Sequence, residues 1–211
     1  MLQIAGFRKS YNNHPVLDIP SLELYKGIHW IKGANGSGKS TLLKAIAGII
    51  DFSGDILLEQ VSIHQQPVQY RRKVSFAEAE PVFPEFLTGG EMIALFATAK
   101  QAPGGQETSY LESMQMQAYL DQPLGSYSSG MLKKLSLVLA FMGNPALILL
   151  DEPLITLDTA SLDILYSWIK ERHSSQGTAF LLSSHQVIEQ TALPVTSIIQ
   201  AADKTVKQLP G

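Results

Sequence analysis

The sequence predicts an α/β fold carrying a small inserted helical lobe, and three stretches predict it. Ile28-His29-Trp30-Ile31, short and apolar enough for a buried strand, runs into Gly33-Ala34-Asn35-Gly36-Ser37-Gly38-Lys39-Ser40-Thr41 and then into the good helix former Leu42-Leu43-Lys44-Ala45-Ile46-Ala47. Strand, glycine loop, Lys-Ser and helix together make a P-loop in its proper context. Ala146 to Leu150 is an apolar run without alternation, as in a strand buried on both faces, and it ends in Asp151-Glu152-Pro153. Thr178 to His185 repeats that form, an apolar strand with a polar tip.

The chain has 211 residues, 45% hydrophobic and 17% charged, which suits one folded domain over residues 1–211. A formal net charge of −3 supplies no global basic field, so nucleic acid is not an expected partner. With no cysteine, disulfides and thiolate metal sites are excluded, which fits the cytoplasm. The N-terminus does not read as a signal peptide, and no stretch approaches the ~20 apolar residues that span a bilayer. No internal repeat stands out.

In chain order, Leu2 to Phe7 reads as a strand, Lys9 to Pro15 as a turn, and Val16 to Leu24 as a second extended stretch. Tyr11 is an aromatic upstream of the P-loop; from position alone it could stack on a base or simply pack. In the P-loop, Gly36 and Gly38 let the backbone take positive φ and turn its N–H groups inward around a phosphate. The helix that starts near Lys39 adds its positive end. Lys39 should reach the β- and γ-phosphates, and the Ser40 hydroxyl should hold Mg²⁺. Asp51 to Asp55 turns into a strand at Ile56-Leu57-Leu58, Gln60 to Gln69 is polar and irregular, and Val74 to Ala77 is a short strand.

After Ala77 the composition shifts to acidic residues and proline. Glu91 to Lys100 reads as a helix, Gln101 to Gly105 breaks it, and Glu107 to Leu120 reads as another, with Met114 and Met116 filling gaps in a core. Residues 84–126 therefore form the lobe, and residues 1–83 and 127–211 the α/β core. Ser126-Tyr127-Ser128-Ser129-Gly130 opens a helix whose Leu132, Leu135, Leu139 and Met142 recur at helical spacing, with Lys133 and Lys134 off that face. Ser128 either caps this helix or grips a second phosphate. Asp151 is placed to hold Mg²⁺ and Glu152 to polarise a water, since ligands bind off the carboxyl ends of such strands. Ser161 to Arg172 reads as an amphipathic helix. His185 could donate to the γ-phosphate or the attacking water. His14, His64 and His173 read as surface residues, and Val187 to Gly211 carries no assignable chemistry.

Together these residues resemble the nucleotide-binding subunit of ABC transporters, over nearly the whole chain. Gly33 to Ser40 matches Walker A, Leu147 to Asp151 Walker B, and Glu152 the catalytic glutamate. Tyr127-Ser128-Ser129-Gly130-Met131 matches the signature, Leu157-Asp158 the D-loop, His185 the switch histidine and Tyr11 the adenine-stacking aromatic. The resemblance implies a P-loop NTPase of ABC type, with a mixed or parallel central sheet flanked by helices and antiparallel strands at its N-terminus. It implies ATP and Mg²⁺ as cofactors and a head-to-tail pair of subunits closing on two ATP molecules. Ser128 and Gly130 of one copy would contact the γ-phosphate bound by Lys39 of the other, Ser129 and Asp158 would also bind the nucleotide, and a separate transmembrane permease would hold the subunit on the cytoplasmic face of the membrane. Two positions depart from the family. The signature usually reads Leu-Ser-Gly-Gly-Gln, and Ala79, flanked by Glu78 and Glu80, stands where the family has a Gln. The signature leans toward small exporter-type subunits. A soluble ABC-type ATPase acting in regulation or remodelling is the alternative, and a small-molecule kinase leaves the signature and His185 without a role.

Overall fold

The computed structural model describes residues 1–185 and 192–210. Strands β1 (Leu2–Tyr11) and β2 (His14–Leu24) form a hairpin. Asn12 and Asn13 join them with φ of 47° and 64°, the positive values that a tight two-residue turn requires. The strand therefore continues through Lys9 to Tyr11, and the expected seven-residue turn contracts to two residues. On its other side β1 pairs with β4 (Ser53–Leu58), and β4 with β5 (Val61–Ser62), giving an antiparallel sheet in the order β2-β1-β4-β5.

The second sheet runs β10-β9-β3-β8-β7-β6. It contains β3 (Ile28–Lys32), β6 (Val74–Ala77), β7 (Leu147–Asp151), β8 (Ala179–Ser183), β9 (Ser197–Ala202) and β10 (Thr205–Pro210). All of its strands run parallel except β10, which pairs antiparallel to β9 at the edge. Both faces of this sheet are buried. Leu147 and Leu149 of β7 join one core with α1 (Lys39–Ile46) and the antiparallel sheet, while Ile148 and Leu150 join the other with the helices beyond. The continuous apolar runs of β7 and β8 follow from this two-sided burial.

Between β6 and β7 come α3 (Gly89–Lys100), α4 (Gln106–Ser113) and α5 (Ser129–Phe141). Thr88 and Glu91 begin α3 with a reciprocal capping box. The expected helix from Glu107 to Leu120 stops at Ser113, because Gln115 adopts φ 56°. On a continuous helix, residues two apart point to nearly opposite sides. The break at Gln115 lets Met114 and Met116, 1% and 0% exposed, enter the same core as expected of gap fillers. The expected irregular stretch from Gln60 to Gln69 instead contains β5 and the start of α2 (Pro67–Lys73), which proline opens at its first turn.

Helix α5 is buried on nearly all sides from Leu135 to Phe141. Lys133, expected off the apolar face, lies inside. Helix α6 (Thr159–Gln176) extends beyond the expected Ser161 to Arg172 at both ends, from its Asp158 cap to Gly177. His14 and His64 are exposed as expected, but His173 is half-buried with Nδ1 2.9 Å from the Thr178 carbonyl. Residues 186–191 and 211, part of the unassigned tail, lie outside the described residues; the rest of that tail builds β9 and β10. Among the described residues, no helix is long and apolar enough to cross a membrane.

Candidate nucleotide site

The site forms where β3, β7 and β8 end together. β3 delivers the P-loop, and α1 starts at Lys39 behind Gly38, whose φ of 95° only glycine takes without strain. A Cβ on Gly38 would also come within 2.8 Å of the Leu17 side chain on β2, so the loop leans on the hairpin. Lys39 is 7% exposed, and its Nζ donates to the carbonyls of Gly33 at 2.9 Å and Ala34 at 3.1 Å. The ammonium therefore curls over the loop that a phosphate would enter.

Next to it, Ser40 Oγ donates to Asp151 Oδ1 at 3.1 Å, and Ser183 Oγ donates to the same oxygen at 2.5 Å. Ser183 Oγ in turn accepts from the Glu152 amide at 3.0 Å. One carboxylate thus ties the first turn of α1 to the tips of β7 and β8. Glu152, 8% exposed, carries φ 45° and turns its side chain to His185, Oε1 to Nδ1 at 2.8 Å. With Nδ1 facing a carboxylate, the proton belongs on Nδ1, leaving Nε2 as the other hydrogen-bonding face of the ring. Gly36, Gly38, Lys39, Ser40, Thr41, Asn35, Glu152, His185 and Val16 of β2 line one cavity of about 320 Å³.

A second cavity of about 290 Å³ adjoins at Ser40 and is lined by Lys44, Glu78, Ala79, Glu80 and Asp151. Glu78 is engaged in an ion pair with Lys44 and holds that ammonium above the usual lysine range through their hydrogen bond. Glu80 is exposed. Ser40 and Asp151 offer hydroxyl and carboxylate oxygens 3.1 Å apart, the hard donors a magnesium ion takes. Among the described residues, no three His, Cys, Asp or Glu side chains gather as a metal cluster, so these two donors fit an ion whose remaining ligands are phosphate oxygens and water.

The remaining expected site residues stand apart. Tyr11, Ser128, Ser129, Gly130 and Asp158 line neither cavity. Tyr11 is 46% exposed at the end of β1, with Lys9 Nζ 4.8 Å from its ring centre. Ser128 caps α5, accepting from the Met131 amide at 3.2 Å, and Ser128 and Ser129 face solvent. Asp158 caps α6 by accepting from the Ser161 amide at 2.8 Å, a bond that lowers its pKa. Tyr127, which precedes Ser128, is buried and donates to the Tyr119 carbonyl at 2.7 Å, fastening the start of α5 to the segment that follows α4.

Two residues of the site were not singled out from the sequence. Ser183 bridges Asp151 and Glu152; the polar tip of its strand was the available signal. Lys133 is 1% exposed, and its Nζ donates to the carbonyls of Glu78 (2.8 Å), Ala79 (3.3 Å) and Asp151 (3.0 Å). Burial pushes its amine down to about 8, against the pull of Asp151, Glu152 and Glu78.

Comparison with known proteins identifies the family. The ABC transporter family model matches residues 17–155. The ATP-binding export protein CcmA of cytochrome c biogenesis from Legionella pneumophila (strain Paris) is 34% identical over 88% of this chain and 93% of its own. The ABC-type transporter ATP-binding protein EcsA of Bacillus subtilis is 30% identical over 88% of this chain and 77% of its own. Among solved structures, an ATP-binding subunit of an ABC transporter superposes with a TM-score of 0.89 at 26% identity, over 100% of this chain and 90% of its own. A dimeric cassette bound to ADP and phosphate shares the fold, with a TM-score of 0.86 at 20% identity over 100% of this chain and 98% of its own. The chain belongs to the ABC transporter family, as one of its ATP-binding, ATP-hydrolysing subunits.

Proposed function

We propose that this subunit drives a separate transmembrane permease from the cytoplasmic face of the membrane. Two copies close on two ATP molecules, each copy completing the other's site. The observation that carries this reading is the division of the expected site into two surfaces. Lys39, Ser40, Asp151, Glu152 and His185 meet around adjoining cavities, while Ser128, Ser129 and Asp158 are solvent-facing on helix starts that line neither. A second copy, turned head to tail, brings the second surface onto the first.

Within one site the roles follow from position. The P-loop amides and Lys39 hold the phosphate chain. Ser40 and Asp151 would hold Mg²⁺, which neutralises charge on the phosphates when bound. Glu152 orients the attacking water and accepts its proton, and His185, fixed through Nδ1, keeps Glu152 in place and presents Nε2 toward the nucleotide. Tyr11 stacks on the adenine. The chain divides into a core, residues 1–83 and 127–211, and a lobe, residues 84–126, on which the permease docks. Support for that docking comes from Phe86, 81% exposed, from Val82, 88% exposed just before the lobe begins, and from an apolar groove of about 490 Å³ that includes Phe76 and Phe96. The exporter-like signature and the relative named as an export protein support outward transport.

Glu152→Gln tests the chemistry. The variant should keep ATP affinity, lose about 10²- to 10⁴-fold in turnover and accumulate as an ATP-bound dimer on size exclusion. Unchanged turnover would move the water-activating role to another group, with Glu78 or Glu80 next in line. A second reading, a soluble ABC-type ATPase in regulation or remodelling, draws on one observation: Ala79 occupies the position of the Gln that couples family members to their permeases. Affinity purification from detergent-solubilised membranes separates the two. A polytopic membrane protein recovered with the chain supports the transporter, and its absence with a soluble complex in its place supports the alternative.

A further inference from the structure

Lys133 sits inside α5, one turn beyond the Ser128 cap, where its neighbours in sequence are mostly Leu, Val, Ala and Phe. An apolar side chain would satisfy packing there. The chain instead buries an ammonium, and all three of its N–H donors are matched by main-chain oxygens: Glu78 at 2.8 Å, Ala79 at 3.3 Å and Asp151 at 3.0 Å. Burying a charge on neutral carbonyls is costly, and the nearby carboxylates offset that cost only in part. The position of those three oxygens shows what the ammonium accomplishes.

The Asp151 carbonyl and the Glu152 amide belong to one peptide group. Lys133 holds its oxygen at 3.0 Å, and Ser183 Oγ holds its N–H at 3.0 Å. The torsion that follows is φ of Glu152, at 45°, a left-handed value that a side chain with Cβ adopts only when its surroundings enforce it. Pinning the peptide from both sides enforces it, and so directs the Glu152 side chain to His185. The other two oxygens belong to the loop after β6. Ala79 has no side chain long enough to reach the site, so the main chain of this loop, held by Lys133, sets where the cavity wall stands.

We propose that Lys133 is a positioning residue for ATP hydrolysis, which fixes the Asp151–Glu152 peptide and the main chain of residues 78–79 in one arrangement and thereby aims the Glu152 carboxylate. The inference rests on the reading of Glu152 as the water-orienting group. It also makes α5, which begins at the Ser128 cap, a second helix that touches both the acidic pair and the loop beside it, as α1 does through Ser40 and Lys44.

The experiment compares wild type, Lys133→Met, Lys133→Arg and Glu152→Gln as the full chain. Steady-state hydrolysis with Mg–ATP is measured alongside equilibrium binding of trinitrophenyl-ATP. Lys133→Met should lower kcat about 10- to 100-fold, the scale of a small misplacement of a reacting group. Its Kd for the analogue should stay within about threefold of wild type, because the P-loop is untouched. Lys133→Arg, which keeps the donors, should recover kcat to within about threefold. A structural pin alone would instead lower the unfolding midpoint and the fraction of binding-competent protein, with kcat per binding site unchanged; that result overturns the proposal. So does a Lys133→Arg variant as slow as Lys133→Met. If Lys133→Met does not fold, Lys133→Gln, which keeps two donors, should show a smaller kcat loss at unchanged Kd, and wild-type kcat there overturns the proposal. Slow Glu152→Gln with normal Lys133→Met rejects the role of Lys133 alone, whereas wild-type turnover in Glu152→Gln rejects the reading of Glu152 and the aiming argument with it.

Discussion

Glu152 shows how much of this site is decided one residue at a time. Two like charges at the end of β7, the most apolar run in the chain, are visible in the sequence, and so are the P-loop glycines and the polar tip that places His185. Each is a local pattern whose chemistry depends on neighbours in sequence. Lys133 and Ser183 escaped notice for the opposite reason. Their partners lie 18 and 31 residues or more away in the chain, and the spacing of leucines along α5 describes one apolar stripe, not a helix buried all round. Tyr11 offers a residue-scale test. With its ring nearly half exposed on the hairpin, Tyr11→Ala should weaken ATP binding about fivefold, ~1 kcal/mol, while Tyr11→Phe should bind as wild type. Calorimetric titration reads both; equal affinity in the alanine variant would leave Tyr11 a packing residue only.

At the scale of elements, the strands buried on both faces are legible in the sequence, while β5, β9, β10 and several helix ends are not. β3, β7 and β8 are buried on both faces, and unbroken apolar runs reveal that wherever they occur. Helix α4 is shorter than its sequence suggests because helix propensity continues past Ser113, while the core takes both Met114 and Met116 and forces the chain out of helix at Gln115. The N-terminus of α3 is specified locally by Thr88 and Glu91, each accepting from the other's amide. Thr88→Ala should cost about 1 kcal/mol in urea unfolding, and Thr88→Ser should restore most of it. No difference between threonine and alanine would mean that tertiary packing alone sets where α3 begins.

At the scale of the molecule, a few exposed to part-buried polar contacts tie α3 and α4 to the rest of the fold. Lys100, near the end of α3, donates to the Arg71 carbonyl at 2.7 Å and to the Val74 carbonyl, across the groove between α3 and β6. Gln106 of α4 exchanges two hydrogen bonds with the Gly143 backbone, an anchor that Arg172 of α6 braces from within the core by donating to the carbonyls of Phe141 and Gly143. Burial pushes the Lys100 amine down to about 8, from 10.5 in the unfolded chain. Between those values the unfolded chain keeps a proton that the folded chain has released, so this residue makes stability rise with pH, by about 1.4 kcal/mol per pH unit at most. Unfolding wild type and Lys100→Met at pH 8 and pH 10 should show the difference moving in favour of wild type at the higher pH. A constant difference would place the Lys100 amine at its ordinary value.

The strand that feeds the P-loop has β8 on one side and β9 on the other, and a Cβ on Gly33 would stand only 2.5 Å from the Ala201 carbonyl of β9. Every motif residue from Tyr11 to His185 is translated before that second flank exists. A chain emerging from the ribosome therefore carries the complete set of chemical groups while half of the scaffold under the loop is still unmade. The cradle beneath the P-loop is complete only once residues 197–202 have slotted in beside β3.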